Sequence, residues 1–349
     1  FILSRFLKVK FLGDYEPYID RLFDLLLQVS EIGELGLGII EDSLWFIEKI
    51  IEKTPKQEER DAFSLIRQAV NSWMHHLRMR RVSGEAAAFP PQEIIYWKKA
   101  AQIFSNLKKD KLSQITQVLG KLREAEDNIQ VGDFDRAVTA YREAEETLEK
   151  LGKKAALTAK RKRLNIQAEI FYSKQEFQKA SELYFQIAEI LGKTGLQNKE
   201  SALIRAHELL VLHEGNRENW EKVSQHQMEI AQLQRLIGQE EKALIAEYYA
   251  YTASARSAEE QKKWELAAKN HLKTSEILNR IGSPISALYA KLNYHICKEK
   301  AENKTPKWLN GAEQLTKKAR TKSATDPKEL EKEVKEILTL IEQEKQIRN

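Results

Sequence analysis

Seven histidines, one cysteine and 52 acidic residues are the raw material for metal or acid–base chemistry in this 349-residue chain, yet almost none are spaced for it. His75 and His76 are adjacent, so on a helix they point about 100° apart. His207 and His213 are six residues apart and fall on different helix faces, and His226 has only Glu229 nearby in sequence. These imidazoles read as satisfied or exposed. Glu259-Glu260 and similar carboxylate pairs read as charged helix faces with partners four residues away. Cys297 has no second cysteine with which to form a disulfide and cannot hold a metal alone; neither it nor any serine has a recognisable base partner in the sequence. Gly33, Gly36 and Gly38 do not form a phosphate loop, because no strand precedes them and no Lys-Ser or Lys-Thr pair follows. The expectation is a non-enzyme with no metal, no cofactor and no small-molecule substrate.

Two clusters are spaced for binding instead. Lys153, Lys154, Lys160, Arg161, Lys162 and Arg163 crowd together with no acidic residue among them, a pattern that can meet phosphates, an acidic peptide or an anionic membrane surface. Against that role, cations at the start of a helix oppose its dipole, and a solvated helix end is the simpler account. The second cluster is Tyr248, Tyr249, Tyr251, Asn293, Tyr294 and His295. Three tyrosines within four positions cannot all face one core. With Arg205 and His207 one unit earlier, and Lys162, Arg163 and Asn165 before that, they suggest a basic and aromatic groove. The expected partner-binding residues are Arg163, Asn165, Arg205, Tyr249, Tyr251, Asn293 and Tyr294; the basic cluster is the alternative, anion-binding site.

The elements that must position these residues are set by a repeat. Phe134, Phe177, Trp220, Trp264 and Trp308 recur at intervals of 43, 43, 44 and 44 residues, and Gly152, Gly195, Gly238 and Gly282 each follow their aromatic by 18. A small or β-branched residue stands three positions after each aromatic (Ala137, Ala180, Val223, Ala267, Gly311) and a larger one at plus seven (Tyr141, Tyr184, Gln227, His271, Leu315). Steps of three and seven select one helix face, and helical repeats of this length stack as a solenoid in which each unit buries its apolar face on its neighbours. The spacing predicts helix pairs over 113–131 with 133–151, 155–174 with 176–194, 198–214 with 217–237, 240–258 with 260–281, and 284–302 with 306–321. Turns are expected at Gly132-Asp133, Gly215-Asn216 and Thr305-Pro306, with the phased glycines ending the second helices. The aromatics themselves are expected to be buried stacking residues, with Trp220→Ala costing about 3–5 kcal/mol locally.

The segment Gly132-Asp133-Phe134-Asp135-Arg136-Ala137, followed by Tyr141 and Ala144, resembles the second half of a tetratricopeptide repeat, and Phe177, Ala180, Tyr184 and Ala188 echo it. The period is longer than the usual 34 residues of that repeat, and Leu151-Gly152 or Ile237-Gly238 stands where its closing proline would be. Long-helix arrays of this kind are similar to the soluble attachment proteins, adaptors that link coiled-coil membrane-fusion bundles to a hexameric ATPase. The resemblance implies an all-α α-solenoid, a right-handed superhelix of tetratricopeptide-like hairpins, whose first helices line the concave surface. The acidic, leucine-rich end those adaptors use is not found in Leu340–Asn349.

Outside the array, residues 1–90 read as an irregular helical region of two or three helices over 20–53 and 58–81, separated by Thr54-Pro55, with a break or close helix approach at Gly33, Gly36 and Gly38 and with Ser83-Gly84 and Phe89-Pro90-Pro91 as the boundary. Trp97, Ala100 and Phe104 repeat the plus-three and plus-seven pattern as a divergent first unit of an array covering 91–322. Residues 323–349 read as a capping helix, with Asp326 as N-cap, Pro327 at the first position, and Leu330, Val334, Ile337, Leu338 and Ile341 on one face. The opening FILSRFLKVKFLG leaves room for a lost targeting segment, and Arg78, Arg80 and Arg81 before Ser83 are compatible with a basic-directed phosphorylation site. A net charge of +5 against 57 basic residues is no strong polyanion signal, and acidic residues interrupt the apolar stretch from Leu22 to Ile51 too often for a bilayer span. A cytoplasmic protein-interaction scaffold or adaptor follows, holding a helical or extended protein segment or neighbouring subunits of a complex. Nucleic acid or membrane binding through the basic cluster is the alternative.

Overall fold

The computed structural model describes residues 16–32, 37–83, 92–195, 198–320 and 327–348. These form fifteen α-helices, with no strand among the described residues: α1 (Glu16–Ile32), α2 (Leu37–Lys53), α3 (Gln57–Ser83), α4 (Gln92–Asn106), α5 (Asp110–Gln130), α6 (Phe134–Lys150), α7 (Ala155–Ser173), α8 (Phe177–Thr194), α9 (Lys199–Asn216), α10 (Trp220–Leu236), α11 (Glu240–Glu260), α12 (Trp264–Arg280), α13 (Pro284–Ala301), α14 (Leu309–Arg320) and α15 (Pro327–Arg348). The chain divides into two compact units, Phe1–Ile170 and Phe171–Asn349, with the division falling inside α7. In each, helices pack mainly on their neighbours in sequence, which is the α-solenoid the repeat demands.

In the first unit, α1 to α6 pack in chain order, and α1 also reaches α5. The core is built from large side chains: Phe23 and Leu26 of α1, Phe46 and Ile50 of α2, Phe63 and Trp73 of α3, and Trp97 and Phe104 of α4 are all buried. Phe63 and Phe104 meet edge to face at 5.3 Å between ring centroids. Gly120 of α5 makes room for Trp97, since a Cβ there would lie 3.1 Å from the Trp97 Cβ. Of the three glycines at which a break is expected, Gly38 lies inside α2. Gly33, Gly36, the boundary at Gly84 and Phe89-Pro90-Pro91, the opening thirteen residues and the side chains of Arg80, Arg81 and Ser83 lie outside the described set.

In the second unit the cores are smaller and alanine-rich. Ile230, Ala231, Ala243 and Ala246 form one cluster, Ala258, Ala267, Ala268 and Cys297 another, and Leu278, Ala287 and Ala290 a third. At its end, α15 covers α13 and α14 through Val334, Leu338 and Ile341, which pack with Leu292, Ile296, Trp308 and Leu309. That bears out the expected cap, although Asp326 and the Leu330 side chain lie outside the described residues.

The phased residues fall where the repeat puts them, with corrections of register and burial. Phe134, Phe177, Trp220 and Trp264 are each the first residue of a second helix. The phased glycines turn the chain after these helices, with φ of +63° at Gly152 and +75° at Gly238, a left-handed conformation glycine adopts without a Cβ clash. Within units the left-handed residue stands two before the aromatic and is rarely glycine: Gly132 at φ +79°, but Gln175, Glu218 and Lys262 at +60°, +55° and +56°. For that reason the turn expected at Gly215-Asn216 is displaced, since both belong to α9 and the chain reverses at Arg217–Asn219. In the last unit the helix starts at Leu309, one residue after Trp308, so the buried small residue is Ala312 while Gly311 is exposed.

The expectation that the aromatics are buried fails for most of them. Phe134 is 45% exposed, and Phe177, Trp220 and Trp264 are only partly buried. A side chain at the first position of a helix lies over the turn that precedes it, at the lip of the unit rather than inside. Two of these lips carry a cation: the Arg256 guanidinium lies 3.7 Å from the Trp220 ring centroid, and the Lys300 ammonium 4.8 Å from that of Trp264. Arg256 and Lys300 each follow their tryptophan by 36 residues, so the clasp repeats with the period. Trp97, by contrast, is fully buried. Trp97→Ala should cost about 3–5 kcal/mol, whereas Phe134→Ala should cost under about 1 kcal/mol. Urea unfolding followed by circular dichroism checks both, and equal losses would contradict this division between core and lip.

Candidate functional site

The aligned faces of the first helices in the second unit are the natural place to look for a binding surface. Arg205 of α9, Tyr249 of α11 and Asn293 of α13 are separated by 44 residues each, so they occupy one register position on three successive first helices. None is buried. Tyr249 is 51% exposed, and Ile245, one turn before it on the same face, is also exposed. Arg205 is held in place by the Tyr172 ring, 5.0 Å from its guanidinium carbon, and by an ion pair to Glu208 at 3.4 Å. Tyr248 turns inward against Leu278, Ala287 and Ala290, with its ring 4.8 Å from that of Tyr249. The tyrosine triplet is thus divided as its spacing demands: Tyr248 in, Tyr249 out, Tyr251 between.

Two further groove candidates have core duties. Tyr294 packs on the cluster of Ala258, Ala267, Ala268 and Cys297, and His295 is buried with its ring 4.8 Å from Tyr294. Arg163 and Asn165 belong to the first unit, where Asn165 is exposed and Arg163 donates to Glu145 at 2.8 Å and to Gln167 at 2.9 Å.

The basic segment from Lys153 to Arg163, which leads into α7, is less free than its sequence suggests. Lys153 pairs with Asp24 at 2.8 Å, Lys162 with Glu126 at 2.9 Å and Arg163 with Glu145. Glu126 also accepts from Arg123, whose Nε bonds Glu93 at 2.8 Å; Arg123 and Glu93 are both buried. Burial raises the Glu93 carboxyl above its ordinary range, and the Arg123 charge opposes that rise. Three of the six cations thus have carboxylates brought from elsewhere in the unit, leaving Lys154 exposed and Lys160 and Arg161 partly buried. Arg78 likewise pairs with Glu41 at 2.6 Å.

The histidines meet partners that sequence spacing did not reveal. The His207 and His226 Nδ1 atoms lie 3.2 Å apart, and Phe185 stands edge-on to His207 at 5.3 Å. Burial pushes both imidazoles below the usual histidine range, and for His207 the neighbouring His226 adds to the effect; Glu229 opposes it at both, as Glu214 does at His226. Cys297 was expected to lack a base partner, and Glu259 to sit on a charged face. Instead His271 Nε2 lies 2.8 Å from Glu259 Oε1, and the Cys297 thiol donates to the same oxygen at 3.7 Å. Sequence reasoning missed this because the three residues come from three helices, α11, α12 and α13.

The class the structure defines is that of all-helical repeat proteins, and among the described residues no helix is long and apolar enough to cross a membrane. No protein-family model, no curated protein and no solved structure matches the chain.

The histidine pair carries a pH dependence with a definite sign. The unfolded chain titrates its histidines near pH 6.5, while the folded values are lower, so the unfolded state binds more protons as the solution is acidified. The contribution is fully present above about pH 6.5 and is lost as pH falls through the folded values. His226→Gln should therefore give a shallower loss of unfolding free energy between about pH 7 and 5 than the native chain. Urea titrations at several pH values measure it, and identical slopes would remove the pair from the account.

Proposed function

We propose that this chain is a non-enzymatic interaction scaffold or adaptor that holds a helical or extended protein segment on the first-helix face of its second unit, as part of a larger assembly. The observation that carries the reading is the register-aligned row of Arg205, Tyr249 and Asn293, with Ile245 exposed beside Tyr249. Arginine and tyrosine are the residue types that anchor protein interfaces, because they combine broad contact area with a directed polar end. Tyr251 and Tyr294 are partly buried and would border that row. A row mounted on packed helices is preorganised, so little ordering cost is added when a partner docks. The unit length and long helices support a tetratricopeptide-like relationship of the attachment-protein kind, and with it an adaptor role in the cytoplasm.

The alternative, binding of nucleic acid or an anionic membrane through Lys153, Lys154 and Lys160 to Arg163, has less support because three of those cations are already paired. The two readings separate by salt. Proteins captured from an extract by the immobilised chain should be lost with the Arg205→Ala, Tyr249→Ala and Asn293→Ala variant, with about 2 kcal/mol or more from Tyr249 alone. Their retention should depend weakly on salt. Micromolar binding of unrelated RNA or DNA at physiological salt, abolished by neutralising Lys160, Arg161, Lys162 and Arg163 but unaffected in the first variant, would overturn the protein-scaffold reading.

A further inference from the structure

The last turn of α11, the middle of α12 and the second half of α13 bring a carboxylate, an imidazole and a thiol to one point. One ligand atom each from Glu259, His271 and Cys297 lies within 4.8 Å of the other two. His271 and Cys297 are buried, while the Glu259 side chain retains 23% of its exposure. The repeat supplies its own control. These residues stand five before, seven after and thirty-three after the phased Trp264. At the same three offsets the unit of Trp220 has Gly215, Gln227 and Ala253, that of Phe177 has Tyr172, Tyr184 and Leu210, and that of Phe134 has Ile129, Tyr141 and Gln167. Packing at these positions is satisfied without a Glu, a His or a Cys, yet one unit has all three together.

We propose that Glu259, His271 and Cys297 form a metal site of the zinc type, with water in the fourth position. Sulfur and nitrogen donors select a borderline divalent transition metal over calcium or magnesium. With bonds of about 2.3 Å to sulfur and about 2.0–2.2 Å to nitrogen and oxygen, tetrahedral donors lie about 3.3–3.8 Å apart. The sulfur-to-carboxylate separation is 3.7 Å, so binding requires the His271 and Glu259 atoms to part from 2.8 Å by about half an ångström and any donor pair near the 4.8 Å limit to close by about 1 Å. Binding expels the thiol proton of Cys297 to solvent as the sulfur–metal bond forms. To ligate through Nε2, His271 gives up the hydrogen bond to Glu259 and releases the Nε2 proton, binding as the imidazole tautomer whose proton is on Nδ1. A divalent cation, one thiolate and one carboxylate then sum to zero charge, which suits a site with two buried ligands. In this array the metal clamps three successive helices at one junction and couples the stability of that junction to metal supply.

The test uses the untagged, demetallated chain and cobalt(II) as the spectroscopic probe. Cys297 is the only cysteine, so any thiolate-to-cobalt charge-transfer band reports this site alone. One equivalent of cobalt should give that band, one equivalent of zinc should displace it, and zinc should slow alkylation of Cys297 in the native chain. Cys297→Ser should abolish the band with helical circular dichroism retained, and Glu259→Gln should weaken cobalt binding about tenfold or more. The alkylation measurement needs no variant, so it remains decisive should Cys297→Ser fold poorly. A folded native chain that shows no charge-transfer band with excess cobalt, or no zinc protection of its thiol, overturns the proposal.

Discussion

The repeat region depends on a small buried side chain three residues into each second helix. Ala137, Ala180 and Ala267 have no exposed surface, Val223 almost none, and Ala312 takes the same place after the register shift in the last unit. A small residue at that point lets a neighbouring helix approach closely, and its position at the plus-three step turns the same face of every second helix inward. The cost of small residues is little apolar area per contact, and the second unit accordingly has several modest clusters where the first has one large aromatic core. Stability there is a sum of similar junctions, and the cations over Trp220 and Trp264 close the lips that alanines cannot fill.

Charge is handled differently in the two units. In the first, Glu93, Arg123, Glu126 and Lys162 form a partly buried network, and Arg123 also lies 5.2 Å from the Trp73 ring centroid. Taking those charges out of water is costly, and their mutual attraction offsets the cost only in the geometry that pairs them, so the network favours one packing over its neighbours. In the second unit the polar contacts between adjacent helices include His207 with His226 and Asn270 with Ser254 at 2.8 Å. Those pairs sit at junctions between adjacent helices, where a change in protonation or ligation acts on one step of the array.

The proposed binding surface and the stacking surface fall on different helices of each unit. Second helices spend their small residues on close packing, while first helices leave a register position open, occupied by Arg205, Tyr249 and Asn293. Because each unit presents that position once, substitution there changes the exposed row without disturbing the cores.

The period of 43–44 residues, the all-helical class and the glycine turns after the second helices were legible in the sequence, because each rests on local rules of helix face and backbone conformation, whereas the second helices expected from 217, 260 and 306 start three or four residues later, at Trp220, Trp264 and Leu309. The division among Tyr248, Tyr249 and Tyr251 was legible for the same reason. The tertiary structure alone decided burial and partnership. Phase identified Trp220 as an equivalent of Phe134, but not that both would lie at the lip of a unit, since exposure depends on what the next helices place over that lip. The cations from Lys153 to Arg163 carried no acidic residue between them, and Asp24, Glu126 and Glu145 reached them only by folding across 129, 36 and 18 positions. Glu259, His271 and Cys297 likewise meet because adjacent helices run side by side, which brings together residues whose distance along the chain says nothing of their distance in space.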